Sequence, residues 1–400
     1  MRVPYAQSVH GEEEIEAVVS VLRDNTALGP KTNEFEQKIA SLFGKKHGIM
    51  VNSGSSANLL AFEVLNLNPG DEVITPLLTF GTVVAPIIQK GLVPVFVDVE
   101  EGTYIVNTDA VEAAITPKTK VLMIPSLLGN IPNLEELQRI ANENDLYLIE
   151  DSCDTLGATY NKKPTGEYSH ITTTSFYGSH IINGAGGGGM ILVDDPELAE
   201  RLVILRGWGR KSSLFGETAT SELLENRFEV ELEGVQYDNK FVFSEIGYNF
   251  LPLEISAAFA LEQLKRFPTF AKSRKANYEN LRNFLEQYED LFILPKQTPN
   301  SETNWLAFPV VIKDSASFNR KEFATFLEEK DIQTRPIFTG NILKQPAFKK
   351  IEHRLAETEY PHTEAIMRGG MVFGCHQGLS EEQIDYMKKK IVEFVEEKHP

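Results

Sequence analysis

Three stretches hold residues whose types and spacing could do chemistry together. In "MVNSGSSANLLAFEVL" (50–65) a strand-like run passes through a Gly/Ser turn into a helix start. Exposed backbone N–H groups and the positive end of a helix dipole suit an anion there, with Gly54, Ser55, Ser56 and Ala57 free of bulk. An ordinary serine N-cap gives the same pattern. In "LYLIEDSCDTLGATY" a hydrophobic run ends in Glu150 and Asp151, with Asp154 close behind. A carboxylate at a strand end can hold a cationic ring nitrogen, although a helix cap or a surface acid would read alike. In "TTTSFYGSHIINGAGGGGMILVDD" (172–195) His180 stands between two strand-like runs, just before a glycine run. An imidazole with a reference pKa of about 6.5 is largely neutral at pH 7 and can take a proton. A purely structural histidine is the alternative.

Such residues need elements to bring them together. From residue 10 to about 200, helical patterns alternate with the apolar runs "HGIMV", "DEVITP", "VPVFVDV", "TKVLMIP", "DLYLIED", "ITTTSF" and "GGMILVDD". That alternation predicts an α/β fold with crossover units and a mainly parallel central sheet covered on both faces. Ligands of such sheets collect at the carboxyl ends of the strands, which is where these stretches fall. Residues 211–238 break the rhythm and read as a long loop or partly helical excursion. A long amphipathic helix from "LPLEISAAFALEQL" onward then leads to a smaller α/β domain. The division expected is 1–252 for a large domain and 253–400 for a small one.

Composition narrows the field. With 400 residues, 42% hydrophobic and 24% charged, the chain can bury a large core. A formal net charge of -18 argues against nucleic acid or an anionic membrane as partner. The start "MRVPYAQSVHGEEEIEAVVS" has no basic stretch followed by an apolar core, so a cytoplasmic location is expected. Cys153 and Cys375 are too few for a disulfide framework or an all-cysteine metal site.

Taken in order, the Gly/Ser turn, Phe80 in "TPLLTFGTVV", the strand-end Asp151 and "SFYGSH" before a glycine-rich turn form a pattern that resembles the DegT/DnrJ/EryC family of sugar aminotransferases. The likeness extends to "GYNFLPLEISAAFALEQL" and "TRPIFTGNILKQPAF". It implies the aspartate-aminotransferase fold, fold type I of the enzymes that use pyridoxal 5'-phosphate (PLP). Histidine in the place of the family's cofactor-binding lysine marks a branch of 3-dehydratases acting on nucleotide-linked 4-keto-6-deoxyhexoses. "SFYGSH" puts His180 there, and no lysine occurs from 164 to 210 to replace it.

The resemblance implies a cofactor held without a covalent link, working as pyridoxamine 5'-phosphate (PMP), with His180 as the base. It implies that Asp151 faces the ring nitrogen, Asp154 the 3-hydroxyl and Phe80 the ring face. Gly54, Ser55, Ser56 and Ser175 would hold the phosphate, with Asn249 reaching the phosphate of a partner in a homodimer. Arg210, Arg335, Asn341 and His376 are candidates for the nucleotide sugar, although each such residue is more often a salt bridge or a cap. Another lysine-free PMP enzyme, or a non-catalytic ligand-binding relative, is the competing reading. The chain departs from the family pattern in two places. "INGAGGGG" is longer than the family's loop by about two residues and lacks an acid, and Leu251 stands where a basic residue is common, which weakens the case for glutamate as amino donor. Members with an iron-sulfur cluster carry cysteines after "WGR", but here Ser212 and Leu214 stand there, so no cluster is expected.

Overall fold

A computed structural model describes residues 1–216, 223–228 and 230–398. Each apolar run named above is a strand: His47–Val51, Glu72–Pro76, Val93–Val97, Thr119–Pro125, Tyr147–Asp151, Ile171–Ser175 and Gly189–Val193. They join one eight-stranded sheet. Its order from one edge is His47–Val51, Gly189–Val193, Ile171–Ser175, Tyr147–Asp151, Thr119–Pro125, Glu72–Pro76, Val93–Val97 and finally Arg354–Leu355. Gly189–Val193 runs antiparallel to both of its neighbours, and the remaining pairings are parallel. The carboxyl ends of the other strands therefore meet along one rim. Glu72–Pro76 and Gly189–Val193 are buried throughout, which is why their sequences are apolar runs rather than alternating ones.

Two apolar clusters, one around Ile49, Leu60 and Met123 and the other around Val95, Leu122 and Ile140, fill the sheet's faces beneath crossover helices such as Gly54–Glu63 and Leu134–Glu143. The helix Glu254–Leu285 spans 32 residues and leads into a four-stranded antiparallel sheet of Phe292–Ile293, Phe308–Ile312, Gly370–Phe373 and Arg335–Pro336. The start of the long helix does double duty. Buried Glu254 accepts hydrogen bonds from the backbone N–H groups of Gly29, Lys31 and Thr32 and from the Thr32 hydroxyl, capping the helix Pro30–Leu42 from a distance.

The expected boundary at 252/253 falls just before this helix, but the chain crosses it at both ends. Val3 N–H donates to the Asp331 carbonyl at 2.8 Å, and the Val3 carbonyl accepts from Gln333 N–H at 2.9 Å, so the first residues pack in the C-terminal unit. Conversely, Arg354–Leu355 pairs with Val93–Val97 in the large sheet. The excursion at 211–238 holds a short 3-10 turn at Lys211–Phe215, a helix at Leu224–Phe228 and a hairpin of Val230–Leu232 with Val235–Tyr237; its positions 217–222 and 229 lie outside the described residues. Among the described residues no helix is long and apolar enough to cross a membrane.

Candidate active site

The rim of carboxyl ends borders a cavity of about 300 Å³. Gly54, Ser55, Phe80, Asp151, Asp154, Ser175 and His180 all line it, drawn together from positions more than a hundred residues apart. Among the described residues no lysine lines it.

Asp151 ends its strand buried, and its carboxylate accepts from Asn58 Nδ2 at 2.8 Å and from Cys153 N–H at 2.9 Å. Asn58 is itself fixed, because its Oδ1 accepts from Thr173 Oγ1 at 2.6 Å. Asp154 accepts from Leu128 N–H at 2.8 Å. Burial pushes its carboxyl up to about 7, against the pull of that N–H and with help from Asp151, so near neutral pH it can either donate or accept a hydrogen bond.

The helix Gly54–Glu63 opens with Ser53 as N-cap, its hydroxyl accepting from Ser56 N–H at 3.1 Å. The N–H groups of Gly54 and Ser55 precede any possible intrahelical acceptor and lie at the cavity wall. Glycine is required at 54: a Cβ there would lie 2.8 Å from both Cys153 Sγ and Ser175 Cβ. Ser56 is turned away, its N–H taken by Ser53 and its hydroxyl donating to Asn52 Oδ1 at 2.6 Å.

His180 follows a tight turn in which its N–H donates to the Tyr177 carbonyl at 2.9 Å. Its Nδ1 lies 3.3 Å from the Ser175 carbonyl. A carbonyl only accepts, so Nδ1 carries the proton and Nε2 keeps the lone pair. Burial pushes the imidazole down to about 4, opposed by the Ser175 carbonyl and reinforced by the Arg274 charge, so the ring is neutral at pH 7. The loop beyond it is anchored by buried Ile181 and Ile182 and closed by Gly184 N–H to the Phe176 carbonyl, both before the glycine run. Gly186 and Gly188 take φ of 101° and 128°, which explains the run itself.

The remaining candidates stand elsewhere. Asn249 is exposed and bridges Gly207. The Arg210 guanidinium stacks over the Trp208 ring at 4.2 Å, and exposed Arg335 donates to the Thr334 carbonyl at 2.7 Å. Asn341 caps a short turn through Leu343 N–H and donates to Glu364, as the cap alternative had it. His376 is buried with both nitrogens engaged, Nε2 with the Pro4 carbonyl at 3.1 Å and Nδ1 with Gly378 N–H at 3.2 Å, so it has nothing left to offer a sugar.

Sequence reasoning overlooked Ser126, Tyr177 and Phe338 on the cavity wall. Ser126 directly follows the strand Thr119–Pro125, so the strand-end rule could have found it. Tyr177 lies inside "SFYGSH", with its ring edge-on to His180 at 6.0 Å between centroids. Phe338 carried no local signal; it comes from the C-terminal unit and meets Phe80 edge-on at 6.0 Å.

A protein-family model described as the DegT/DnrJ/EryC1/StrS aminotransferase family matches residues 8–392. The chain belongs to this family. Within it, the chain is 38% identical over 394 residues to a dTDP-4-dehydro-2,6-dideoxy-D-glucose 3-dehydratase of Saccharopolyspora spinosa, covering 96% of this chain and 84% of that one. A solved structure of the E. coli GDP-4-keto-6-deoxy-D-mannose-3-dehydratase with bound hydrated PLP superposes with a TM-score of 0.86 at 32% identity, covering 98% of this chain and 99% of that one. A structure of a GDP-4-keto-6-deoxymannose-3-dehydratase with a trapped PLP-glutamate geminal diamine gives 0.85 at 30% identity, covering 97% and 100%. The aminotransferase fold, an α/β fold built on a mainly parallel sheet, is therefore common to this chain and to those dehydratases.

Proposed function

We infer that this chain is a PLP/PMP-dependent 3-dehydratase that removes water from C3 of a nucleotide-linked 4-keto-6-deoxyhexose. One observation carries the reading: His180 stands at the cavity wall with Nδ1 against the Ser175 carbonyl, which leaves Nε2 clear of that contact, and among the described residues no lysine lines that wall. The residues present fit the cofactor. The cradle at Gly54 admits no side chain, and the buried Ser126 hydroxyl at the wall has no hydrogen-bond partner among the described residues, as a ligand-facing group would have none.

When bound, the cofactor supplies an amine for the substrate's C4 ketone and a ring that accepts electrons. Asp151, oriented by Asn58, would hold the ring nitrogen and favour its protonated state. The N–H groups of Gly54 and Ser55 with the Ser175 hydroxyl would hold the phosphate, and Phe80 at the cavity wall would pack against the cofactor. Asp154 would hold the 3-hydroxyl, toward which a carboxyl near 7 can donate or accept. His180 accepts a proton at Nε2, and its neighbour Ser175 keeps the ring in the tautomer this requires. Histidine offers no amine to displace the product, so water must release it.

The working unit is a homodimer. Phe241, Phe243, Ile246 and Leu253 flank Asn249 and are 61%, 59%, 98% and 61% exposed, an apolar face of the kind a second copy would cover. Glutamate is the amino donor that regenerates PMP, as the trapped adduct of the 30% identical relative supports. The test is to incubate PMP-loaded protein with dTDP-, GDP- and CDP-linked 4-keto-6-deoxyhexoses and follow product mass. A sugar lighter by one oxygen, its C3 hydroxyl replaced by hydrogen while PMP becomes PLP and ammonia is released, supports the dehydratase. An amino sugar would make the chain an aminotransferase, and an unchanged sugar would make it a binder.

A further inference from the structure

His180 sits on a glycine-rich loop, and glycine backbone supplies no stiffness of its own. Two contacts from outside tie the loop down. Asn183 Nδ2 donates to Ser8 Oγ at 3.1 Å and to Gln263 Oε1 at 3.4 Å. Nearer the imidazole, Gln377 Nε2 donates to the carbonyl of Ile181, the residue after His180, at 3.2 Å. Gln377 is in turn held by Arg274 on the long helix, whose Nε donates to Gln377 Oε1 at 2.7 Å. The guanidinium is immobilised as well, its Nη1 donating to the carbonyls of Trp305 and Leu306 at 3.0 Å each.

Arg274 is 1% exposed, and no carboxylate pairs with it among the described residues. Burial pulls the guanidinium down to about 10. An arginine is rarely buried without a carboxylate, because its desolvation goes unrepaid, and an apolar side chain of similar volume would serve packing as well or better.

We propose that Arg274 is a positioning residue for the base: through Gln377 it fixes the backbone at Ile181, and with it the place and orientation of the His180 ring. This rests on reading His180 as the base. Charge adds to geometry. A buried cation without a counter-ion disfavours a second cation nearby, and after burial itself Arg274 acts on His180 in that sense. The other ionisable groups about the ring are Tyr177 beside it, Asp151, Cys153 and Asp154 on the cavity wall, and Tyr5, which feels the charges of both Asp154 and Arg274. Among charged groups it is Arg274 that acts on the ring, and it disfavours an imidazolium.

The experiment uses full-length, PMP-loaded protein labelled at histidine nitrogen. Gln377→Ala cuts the link, Arg274→Lys keeps the charge but loses the fork, and Arg274→Met removes the charge. Gln377→Ala and Arg274→Lys should retain PMP binding and a KM within about twofold, while the single-turnover rate falls about ten- to a hundredfold. Amide exchange over residues 181–184 should accelerate in both. Arg274→Met should in addition raise the titration midpoint of the His180 ring and the acid limb of the rate profile together. Folded Gln377→Ala and Arg274→Lys proteins with wild-type rates and exchange would overturn the positioning role. An unmoved His180 titration in Arg274→Met would remove the electrostatic part, and if that variant does not fold, the other two decide the proposal. Should the wild-type protein dehydrate no nucleotide sugar, the functional reading fails, while exchange and titration still report on the link from Arg274 to the loop.

Discussion

A lysine in the place of His180 would be charged at neutral pH unless strongly shifted, since its reference pKa is about 10.4, whereas this imidazole is neutral throughout the physiological range. On the proposed reading the histidine exchanges a covalent anchor for a base. Borohydride reduction of PLP-loaded protein should therefore leave no cofactor adduct on the chain by mass, and an adduct on any lysine would refute the non-covalent reading. His180→Asn should lower turnover by roughly 10² to 10⁴, the usual worth of a general base. Leu251 is the complementary case, an apolar residue where a cation is common. If that cation holds the glutamate carboxylate, leucine forgoes a charge-assisted contact of about 1.5 to 3 kcal/mol. Leu251→Arg should then tighten glutamate about ten- to a hundredfold in the conversion of PLP to PMP, leaving a single turnover begun from PMP unchanged. Saturation of the natural protein at micromolar glutamate would mean that another residue binds the carboxylate.

At the scale of elements, the site depends on how closely the first turn of Gly54–Glu63 approaches its neighbouring strand ends. The strand Gly189–Val193 contributes to this, since a Cβ on Gly189 would lie 2.3 Å from the Ser53 carbonyl carbon. Gly54→Ala should force a shift against Cys153 and Ser175 at an overpacking cost of about 1 to 3 kcal/mol. Because the displaced N–H groups are the proposed phosphate ligands, PMP affinity should fall at least about tenfold while the fold survives. A spectroscopic PMP titration beside a thermal melt separates the two effects; unchanged affinity would take these N–H groups out of the phosphate site.

For the whole molecule, pH and assembly are the accessible variables. His180 and His376 are both held near 4 by burial, below the unfolded value of about 6.5. Each therefore contributes stability that is fully present above pH 6.5 and is lost as pH falls toward 4, by up to about 1.4 kcal/mol per pH unit. Asp154, raised by burial, acts in the opposite sense: its contribution is present at low pH and is lost as pH rises through 7. His376→Gln should thus lose less stability than wild type between pH 6.5 and 4, and Asp154→Asn more, as read from urea midpoints. Parallel slopes would show that these groups are not buried as described. The dimer has its own test. If Asn249 serves the partner's site, Asn249→Ala and His180→Asn proteins should each be weak, yet a random mixture should regain about a quarter of wild-type activity from its heterodimers. No recovery on mixing would confine Asn249 to its own subunit.

The sequence by itself determined the parts whose signal is local. Continuous apolar runs became strands because strands buried on both faces must be apolar, and each chemical motif lay within a few residues of a strand end, so Asp151, Asp154 and His180 could be read as site candidates from residue type and place, and Ser175 from the family resemblance, before any tertiary contact was known. Partnerships between distant segments were decided only by the tertiary structure. The fates of His376, spent on Pro4 and Gly378, and of Asn341, spent as a cap, depend on backbone that packing brings to them. Phe338 in the cavity, Val3 beside Ile332 and Arg354–Leu355 at the edge of the large sheet join residues hundreds of positions apart. Periodicity and turn chemistry describe neighbours along the chain, and a pairing across such a span is chosen by the shape and unsatisfied hydrogen bonds of surfaces that exist only once the chain has folded.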